Sequence, residues 1–321
     1  MDGPADAEAE FDDPDTIGAI KTALESGGHL VELFEAEPDF PVRVAASRPD
    51  IVFNIAEGSA GRGREAQVPA ILSFLRIPFV GSDETTMCIA MDKALTKRLL
   101  SSHGVSTPAF TVVGKDSLPG SGSAAAREFA GLPAFPVILK PVAEGSGKGI
   151  TTDSVVTNAE GLSMAVGELA SLYAQDILIE EFIEGREFTV GLLGNGQQTR
   201  VFAPMEVIFR DKSNSIYSFE IKRYFKQHID YACPPDISAD TRKCLEDTAL
   251  KIYRILECRD FARIDFRLSS AGRVCFIEIN PIPGLAPGYS DYPMLAEFCG
   301  IDYNTLVLSI LDSALARYGL R

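Results

Sequence analysis

Residues 261–280, FARIDFRLSSAGRVCFIEIN, hold two stretches in which apolar and polar side chains alternate on either side of a short polar segment. Alternation with a period of two predicts two strands, and the segment SSAGR between them predicts a hairpin loop. With a four-residue loop, the ladder sets Asp265 opposite Glu278. The same register sets Arg263 opposite Asn280, so that all four polar side chains lie on one face of the hairpin.

Two carboxylates that oppose each other across a ladder repel, and they destabilise the hairpin unless a cation lies between them. Mg²⁺ is the natural candidate, because it takes oxygen ligands from one or two carboxylates and completes its shell with water and phosphate. Asp265, Glu278 and Asn280 are therefore candidate metal ligands. An exposed polar face with salt bridges is the alternative, and a one-residue slip of the register would remove the metal site.

A second motif, FPVILKPVAEGSGKGI, joins an apolar strand to a glycine-rich loop and a further strand. Lys140 lies at the end of the first strand, and the glycines of the loop alternate at Gly145, Gly147 and Gly149. Glycines let backbone N–H groups surround phosphate oxygens, and the lysine supplies a point charge. The spacing is neither that of a P-loop nor that of a dinucleotide fold, so a purely structural hairpin stays open.

Two charged segments complete the candidate site. LIEEFIEGREFTV carries four glutamates, including Glu180 and Glu187, which suit either solvated strand ends or a nucleotide site that holds a ribose. AMDKALTKR places Lys93 and Lys97 one helical turn apart, where a solvated helix face is the simpler interpretation.

Composition excludes several classes of protein. The chain has 321 residues and a formal net charge of −15, which argues against a general nucleic-acid binder. No apolar run is long enough to span a bilayer, and the N-terminus lacks a basic and apolar signal sequence, so no membrane partner is expected. The six cysteines form no C-x-x-C pair, which predicts small core residues in a reducing cytoplasm.

The chain order predicts an α/β (α+β) protein. Helices and apolar runs alternate at the start, including predicted strands at Leu30–Leu33, in PDIVFNIAEG and in PFVGS, which suggests parallel strands covered by helices. Asp15 is expected to cap the first helix. We expect an N-terminal domain at 1–81, a central part at 82–176 and a C-terminal part at 177–321.

Taken together, the motifs resemble the ATP-grasp enzymes and most closely the D-alanine–D-alanine ligase family. The resemblance runs from about Ile51 to the C-terminus and rests on five segments in the family's order: MDKALTK, PVILKPVAEGSGKG, LIEEFIEGREFTV, ARIDFRL and FIEINPIPGL. It implies an ATP-grasp fold of three subdomains, with the nucleotide bound between the central and C-terminal parts. Family members are commonly dimers, so the resemblance also implies a homodimer.

The resemblance implies a role for each matched residue. Contacts to ATP are implied for Lys93, Lys140, Glu144, Ser146, Gly147, Glu180, Glu181, Ile183 and Glu187. Two Mg²⁺ ions, or Mn²⁺ in their place, are implied at Asp265, Glu278 and Asn280. Catalytic roles are implied for Arg263, Lys222 and Ser290, with the guanidinium of Arg263 facing the developing tetrahedral centre. The reaction would transfer a phosphoryl group to a carboxylate, after which an amine attacks the acyl phosphate.

The substrate end departs from the family pattern. The family's opening strand is missing, its H-G-x-x-G-E-D-G turn is replaced by residues 57–64, and its E-A-K-Y loop reads Glu-Ile-Lys-Arg. Its P-G-M-T-x-x-S-L segment becomes PGLAPGYSD. Candidate substrate contacts at these places are Glu57, Arg62, Arg64, Arg223 and Asp291. The arginines suit a first substrate with more negative charge than alanine, or they pair with acids of the protein.

These motifs predict an ATP- and magnesium-dependent ligase that joins the carboxylate and amine of small amino-acid-like substrates. A true D-alanine–D-alanine ligase is one alternative. A nucleotide-binding module without catalysis is another, although it would not need Lys140, Arg263, Asp265, Glu278 and Asn280 together. A phosphotransferase that makes a stable phosphate ester is the third.

Overall fold

Two antiparallel sheets, one of four strands and one of six, contain all the strands that the structure describes. The computed structural model describes residue 6 and residues 11–58, 60–115, 131–211, 216 and 218–320. The helices are α1 (Pro14–Ser26), α2 (Phe40–Ser47), α3 (Gln67–Leu75), α4 (Glu84–Met91), α5 (Lys93–Ser102), α6 (Ala159–Tyr173), α7 (Phe219–Arg223), α8 (Phe225–His228), α9 (Ala239–Ile255), α10 (Asp291–Phe298) and α11 (Tyr303–Tyr318). The strands are β1 (Phe110–Val113), β2 (Val137–Pro141), β3 (Val155–Val156), β4 (Ile177–Glu181), β5 (Gly185–Leu193), β6 (Arg200–Val201), β7 (Met205–Phe209), β8 (Ile229–Ala232), β9 (Phe261–Ser269) and β10 (Val274–Asn280).

The four-stranded sheet has the order β1-β4-β2-β3. All five residues of β2, with the sequence VILKP, are buried. The helix α6 packs on this sheet through Leu162 and Val166, which lie in one apolar cluster with Leu139 and Ile179. The sheet therefore carries both the predicted glycine-rich loop and the predicted nucleotide strand β4.

The six-stranded sheet has the order β10-β9-β5-β7-β8, with β6 paired to β5. In its register Thr189 of β5 lies opposite Asp265, and Gly191 lies opposite Arg263. A Cβ atom at Gly191 would lie 2.6 Å from the ring of Phe202, so only glycine fits there. The helix α9 packs on the face of this sheet that carries Phe188, Val190 and Leu192, and α10 packs near Leu193 on the other face.

The β9–β10 hairpin pairs Asp265 with Glu278, which confirms the predicted register at the site. The predicted four-residue loop is wrong, because Leu268 pairs with Val274 and the loop is one residue longer. A β-bulge between Phe276 and Glu278 restores the register. An extra residue on one strand shifts every later pairing by one. The longer loop and the bulge shift the pairing in opposite directions, so their effects cancel at Asp265 and Glu278.

The N-terminal part has less strand than its sequence predicts. Leu30 is fully exposed, and residues 30–33 form no strand. The two further predicted strands meet only at one parallel bridge, Val52 with Phe79. Asp13, not Asp15, caps α1 by accepting a hydrogen bond from the Thr16 amide at 2.7 Å. The segment AAAREFA at 124–130 also predicts a short helix, and it lies outside the described residues.

The C-terminal helices α10 and α11 close the core on α1 and β5. Leu306, Val307 and Ile310 are fully buried in one apolar cluster with Ile20 and Leu24. Among the residues that the structure describes, no single helix is long and apolar enough to cross a membrane. Helices α10 and α11 meet that length and composition only together, and they are bent by 105°.

Candidate active site

A cleft of about 610 Å³, open to solvent, lies between the two sheets. The predicted site residues that line it are Lys140, Gly147, Glu180, Glu181, Ile183, Glu187, Lys222, Asp265 and Glu278. A second cavity of about 390 Å³ shares Glu278 with the first and is also lined by Lys93, Glu144 and Asn280. The structure thus brings together the residues predicted to bind nucleotide and metal.

The carboxylate of Asp265 is held from three directions. Arg263 donates to it through Nε at 3.1 Å and Nη2 at 2.9 Å, and the Thr189 hydroxyl donates to Oδ1 at 2.7 Å. The amide Nδ2 of Asn280 lies 3.4 Å from Oδ2. These contacts fix the orientation of the Asp265 carboxylate on the face of the hairpin.

Glu278 lies among cations. The Nζ atom of Lys93 is 3.8 Å from its carboxylate. Burial alone would raise the pKa of Glu278, but the charges of Lys93, Lys222, Lys140 and Arg263 outweigh it and lower the pKa to about 2. The side chain is therefore a carboxylate at neutral pH, in a region that attracts further anions.

The hairpin offers a donor set that fits Mg²⁺. Two carboxylates and one amide on the same face supply only oxygen ligands, the kind that Mg²⁺ prefers. Within the described part of the chain, no group of three or more His, Cys, Asp or Glu side chains is arranged to hold a metal. Water and phosphate oxygens would therefore have to complete the coordination, as is usual for Mg²⁺ at nucleotide sites.

Glu180 is buried between two lysines. Its Oε1 atom accepts a hydrogen bond from Lys140 Nζ at 2.5 Å. Its Oε2 atom lies 3.1 Å from Lys97 Nζ, in an orientation that makes an ion pair and not a hydrogen bond. Burial opposes ionisation, yet the two ammonium groups lower the pKa of Glu180. Its neighbour Glu181 is less buried and pairs with Arg273 at 2.6 Å.

The glycine-rich loop is held by the carboxylate of Glu144. Lys148 lies 2.7 Å from this carboxylate and Arg64 lies 3.3 Å from it, while the ammonium of Lys93 donates to the Glu144 carbonyl. Ser146 has a φ of 50°, and Gly147 and Gly149 also have positive φ. This backbone turns the loop back toward β2, where Pro141 lies against Gly149.

Arg267 is a site residue that the sequence reasoning missed. Its guanidinium donates to Glu187 Oε2 at 2.8 Å and to the carbonyl of Ile183 at 3.0 Å, and it lies 5.1 Å from the centre of the Phe182 ring. The signal was present, because Arg267 follows Arg263 and Asp265 at the same period of two. It fixes the carboxylate predicted to hold the ribose.

Two of the three arginines predicted for the substrate, Arg62 and Arg64, are paired with acids of the chain. Arg62 lies 2.9 Å from Asp92, with 74% of its side chain exposed. Arg64 is buried, and besides its contact with Glu144 it donates to the carbonyl of Ala143 at 2.9 Å. Both contacts correspond to the alternative in which arginines serve the protein's own acids. Glu57, the first residue of the same segment 57–64, is partly buried.

The remaining candidates are Ser290, Asp291, Lys222 and Arg223. Asp291 is buried and accepts a hydrogen bond from the Tyr231 hydroxyl at 2.9 Å, and it lies 3.6 Å from Arg263 Nη1. The Ser290 hydroxyl accepts from the Ala286 amide at 3.2 Å. Lys222 lines the cleft, whereas Arg223 is exposed.

Comparison with known proteins gives a consistent result. The family model described as "D-ala D-ala ligase C-terminus" matches residues 99–312. A D-alanine–D-alanine ligase of Gloeobacter violaceus is 33% identical over 297 residues, covering 92% of each chain. An uncharacterized protein of Sinorhizobium fredii is 32% identical over 308 residues, which are 94% of this chain and 87% of the relative.

Solved structures share the fold. The D-alanine–D-alanine ligase of Bacillus anthracis, complexed with ATP, has a TM-score of 0.74 at 19% identity and covers 95% of this chain and 94% of its own. The VanG D-Ala:D-Ser ligase of Enterococcus faecalis has a TM-score of 0.68 at 26% identity, covering 83% of this chain and 73% of its own. The chain therefore belongs to the D-alanine–D-alanine ligase family of ATP-grasp enzymes, the ATP-dependent ligases that form amide bonds.

Proposed function

We propose that this ligase joins the carboxylate of one small amino-acid-like molecule to the amine of another, with ATP and Mg²⁺. The observation that carries the proposal is the face shared by Arg263, Asp265, Glu278 and Asn280, which borders the same cleft as Lys140. Such a face can serve phosphoryl transfer. The transferred group carries negative charge, and a metal ion held by the carboxylates, together with Arg263 and Lys140, would neutralise it.

The proposed reaction has two steps. A carboxylate oxygen of the first substrate attacks the γ-phosphorus, the bond to the bridging oxygen breaks, and ADP leaves. The amine of the second substrate then attacks the acyl carbon, phosphate leaves, and the nitrogen loses a proton. Lys93 and Lys140 would neutralise the phosphoryl oxygens, and Arg263 would stabilise the oxyanion on the acyl carbon. Bound Mg²⁺, held by Asp265, Glu278 and Asn280, would supply further positive charge at the phosphates.

The substrates are proposed by class. Relatives named D-alanine–D-alanine ligase and D-Ala:D-Ser ligase support amino acids on both sides of the new bond. True D-alanine–D-alanine ligase activity is the second candidate, favoured by the 33% identity to the Gloeobacter violaceus enzyme. The replaced turn at 57–64 and Asp291 beside Ser290 favour a different pair of amino acids.

An ADP-release screen over paired D- and L-amino acids, with product masses recorded, separates these candidates. We expect one pair to yield an amide whose mass is the sum of both substrates less one water. Brisk phosphate release with D-alanine alone would favour the second candidate. ATP binding with no ADP release from any pair would support a non-catalytic module, and a product heavier by one phosphate would support a phosphotransferase.

Three further expectations stay predictions: a homodimer, a cytoplasmic location, and the division at 1–81, 82–176 and 177–321. Because β4 pairs with β1 and β2 in the four-stranded sheet, we propose that the second boundary lies at residues 182–184, between β4 and β5. Light scattering after gel filtration tests the dimer.

A further inference from the structure

A fully buried lysine contacts the metal-binding strand at its bulge. Lys97 lies in the second turn of α5, and no part of its side chain reaches solvent. Its ammonium donates to the carbonyl of Ile277 at 2.8 Å and lies 3.5 Å from the carbonyl oxygen of Phe276. The ammonium also lies 5.2 Å from the centre of the Phe276 ring. This contact has no part in the proposed reaction.

The bulge decides on which face Glu278 lies. Phe276 pairs with Phe266, and the next paired residue of β10 is Glu278, opposite Asp265, so that Ile277 is the extra residue. Without this extra residue, the pairing seen near the loop (Leu268 with Val274, Phe266 with Phe276) would continue along the hairpin and set Glu278 opposite Ile264. Ile264 is fully buried on the core face, so the carboxylate would leave the face that holds Asp265.

The ammonium of Lys97 can donate directional hydrogen bonds to the backbone, which an apolar side chain cannot. Burying a charge is costly, and an apolar side chain of similar size often serves packing as well or better. An ammonium adds hydrogen bonds to backbone carbonyls that a bulge leaves outside the regular ladder. Its contact with Glu180, 3.1 Å away, also links the bulge to β4 of the other sheet, where Glu180 meets Lys140.

We infer that Lys97 is a positioning residue: by holding the bulge at Ile277, it keeps Glu278 on the metal-binding face. The inference rests on the proposed function, since it concerns the metal that Glu278 would bind. It assigns Lys97 no contact with either substrate.

Manganese binding tests this role without relying on turnover. Electron paramagnetic resonance measures Mn²⁺ affinity in the presence of a non-hydrolysable ATP analogue for the wild type, K97M, K97R and R98M. We expect K97M to bind Mn²⁺ about ten-fold more weakly or worse, the range found for residues that orient metal ligands. K97R, which keeps the charge and the donors, should recover most of the affinity. R98M, the control, removes the exposed cation at the next position and should bind as the wild type does.

The outcomes separate the inference from the proposal beneath it. Mn²⁺ binding by K97M equal to that of the wild type would overturn the inference and leave the proposed function intact. A wild type that binds the analogue but no Mn²⁺ would overturn the proposed metal site instead. Circular dichroism checks the fold of each variant, with K97Q as a second uncharged variant. If neither K97M nor K97Q folds while R98M does, Lys97 supports the fold and not the register, and the inference is overturned.

Discussion

Arg263 lies between two carboxylates that fix its direction. It forks the carboxylate of Asp265, and its other terminal nitrogen lies 3.6 Å from Asp291, which the Tyr231 hydroxyl holds in turn. Because a guanidinium stays charged at any pH of interest, this arrangement presents a permanent cation at the hairpin face. A residue so fixed can stabilise a charge that develops nearby without reorganising.

Replacing Arg263 by lysine should therefore impair chemistry more than nucleotide binding. We expect kcat to fall by about 100-fold or more, because a point charge cannot reproduce the fork, while the KM for ATP changes only several-fold. Steady-state kinetics with the best substrate pair measure both. An unchanged kcat would contradict the oxyanion role.

Removing the Glu278 carboxylate should abolish turnover and leave the fold intact. Glu278→Ala removes one of the carboxylates proposed to hold Mg²⁺, so we expect at least about a 100-fold loss of ADP release, the size found for single transition-state contacts. Glu184→Ala, at an exposed position near the cleft, is the matched control. Near-normal activity in the Glu278 variant, with the thermal midpoint of the wild type, would remove the metal hypothesis.

Two neighbouring thiols should differ in reactivity. The hydrogen bond from Cys233 lowers the pKa of the Cys299 thiol to about 6, and the same bond raises the pKa of Cys233. A lowered thiol pKa leaves the reactive thiolate present above that pH, so alkylation of Cys299 by iodoacetamide should rise between about pH 5 and pH 7 and then level. Peptide mass spectrometry identifies the site. Labelling of Cys233 as fast as that of Cys299 at pH 6.5 would contradict this difference.

At the scale of elements, the glycine-rich loop depends on close contact with β2. Gly149 has a φ of 72°, and a Cβ atom there would lie 2.7 Å from Pro141 Cγ. The loop is otherwise fastened by Glu144, whose partners come from outside it as well as within it. Backbone freedom at Gly149 and charge at Glu144 therefore together determine where the loop lies over the cleft.

Gly149→Ala should destabilise the protein and weaken nucleotide binding. A side chain at a left-handed position costs about 1 to 3 kcal/mol, to which the contact with Pro141 adds. Urea unfolding and calorimetry with ATP measure the two effects. Gly18→Ala in α1, where a Cβ atom meets nothing within 4 Å, is the control and should be neutral or slightly stabilising. Unaltered stability and ATP affinity in the Gly149 variant would contradict the loop's dependence on β2.

The sequence predicted elements best where the pattern was local. The period of two in 261–280 identified both strands and the paired carboxylates. It carried no signal for the bulge at Ile277, because that irregularity depends on Lys97, 180 positions earlier in the chain. The apolar run at 30–33 predicted a strand, but whether such a run pairs depends on a neighbouring strand, and the residues that the structure describes place none beside it.

At the scale of the molecule, Asp260 connects three parts of the chain. It is fully buried and accepts hydrogen bonds from the Gly81 amide at 2.8 Å, the Asn195 amide at 2.7 Å and Arg317 at 2.6 Å. These donors come from the segment before α4, the end of β5 and the last turn of α11. Sequence patterns could not predict this junction, since its members are unrelated in spacing and meet only in the folded chain.

Asp260→Asn should destabilise the whole protein, although asparagine can adopt the backbone conformation of Asp260. Asparagine tolerates the positive φ of 66° at this position, so the main effect is to leave Arg317 without its buried counter-charge. We expect the free energy of unfolding to fall by about 3 kcal/mol, as for other broken buried pairs. Urea denaturation measures it, and a change below about 0.5 kcal/mol, the range of ordinary surface substitutions, would show that the junction is not a stabilising one.

The proposed attack of a carboxylate on ATP is tested by following oxygen from that carboxylate into phosphate. The substrate pair that releases most ADP is supplied with ¹⁸O in the carboxylate of the first amino acid, and the released phosphate is analysed by mass spectrometry. Attack of that carboxylate on the γ-phosphorus, followed by amide formation, predicts one ¹⁸O atom in each phosphate. ADP release with unlabelled phosphate, or no ADP release with any pair, would contradict the account.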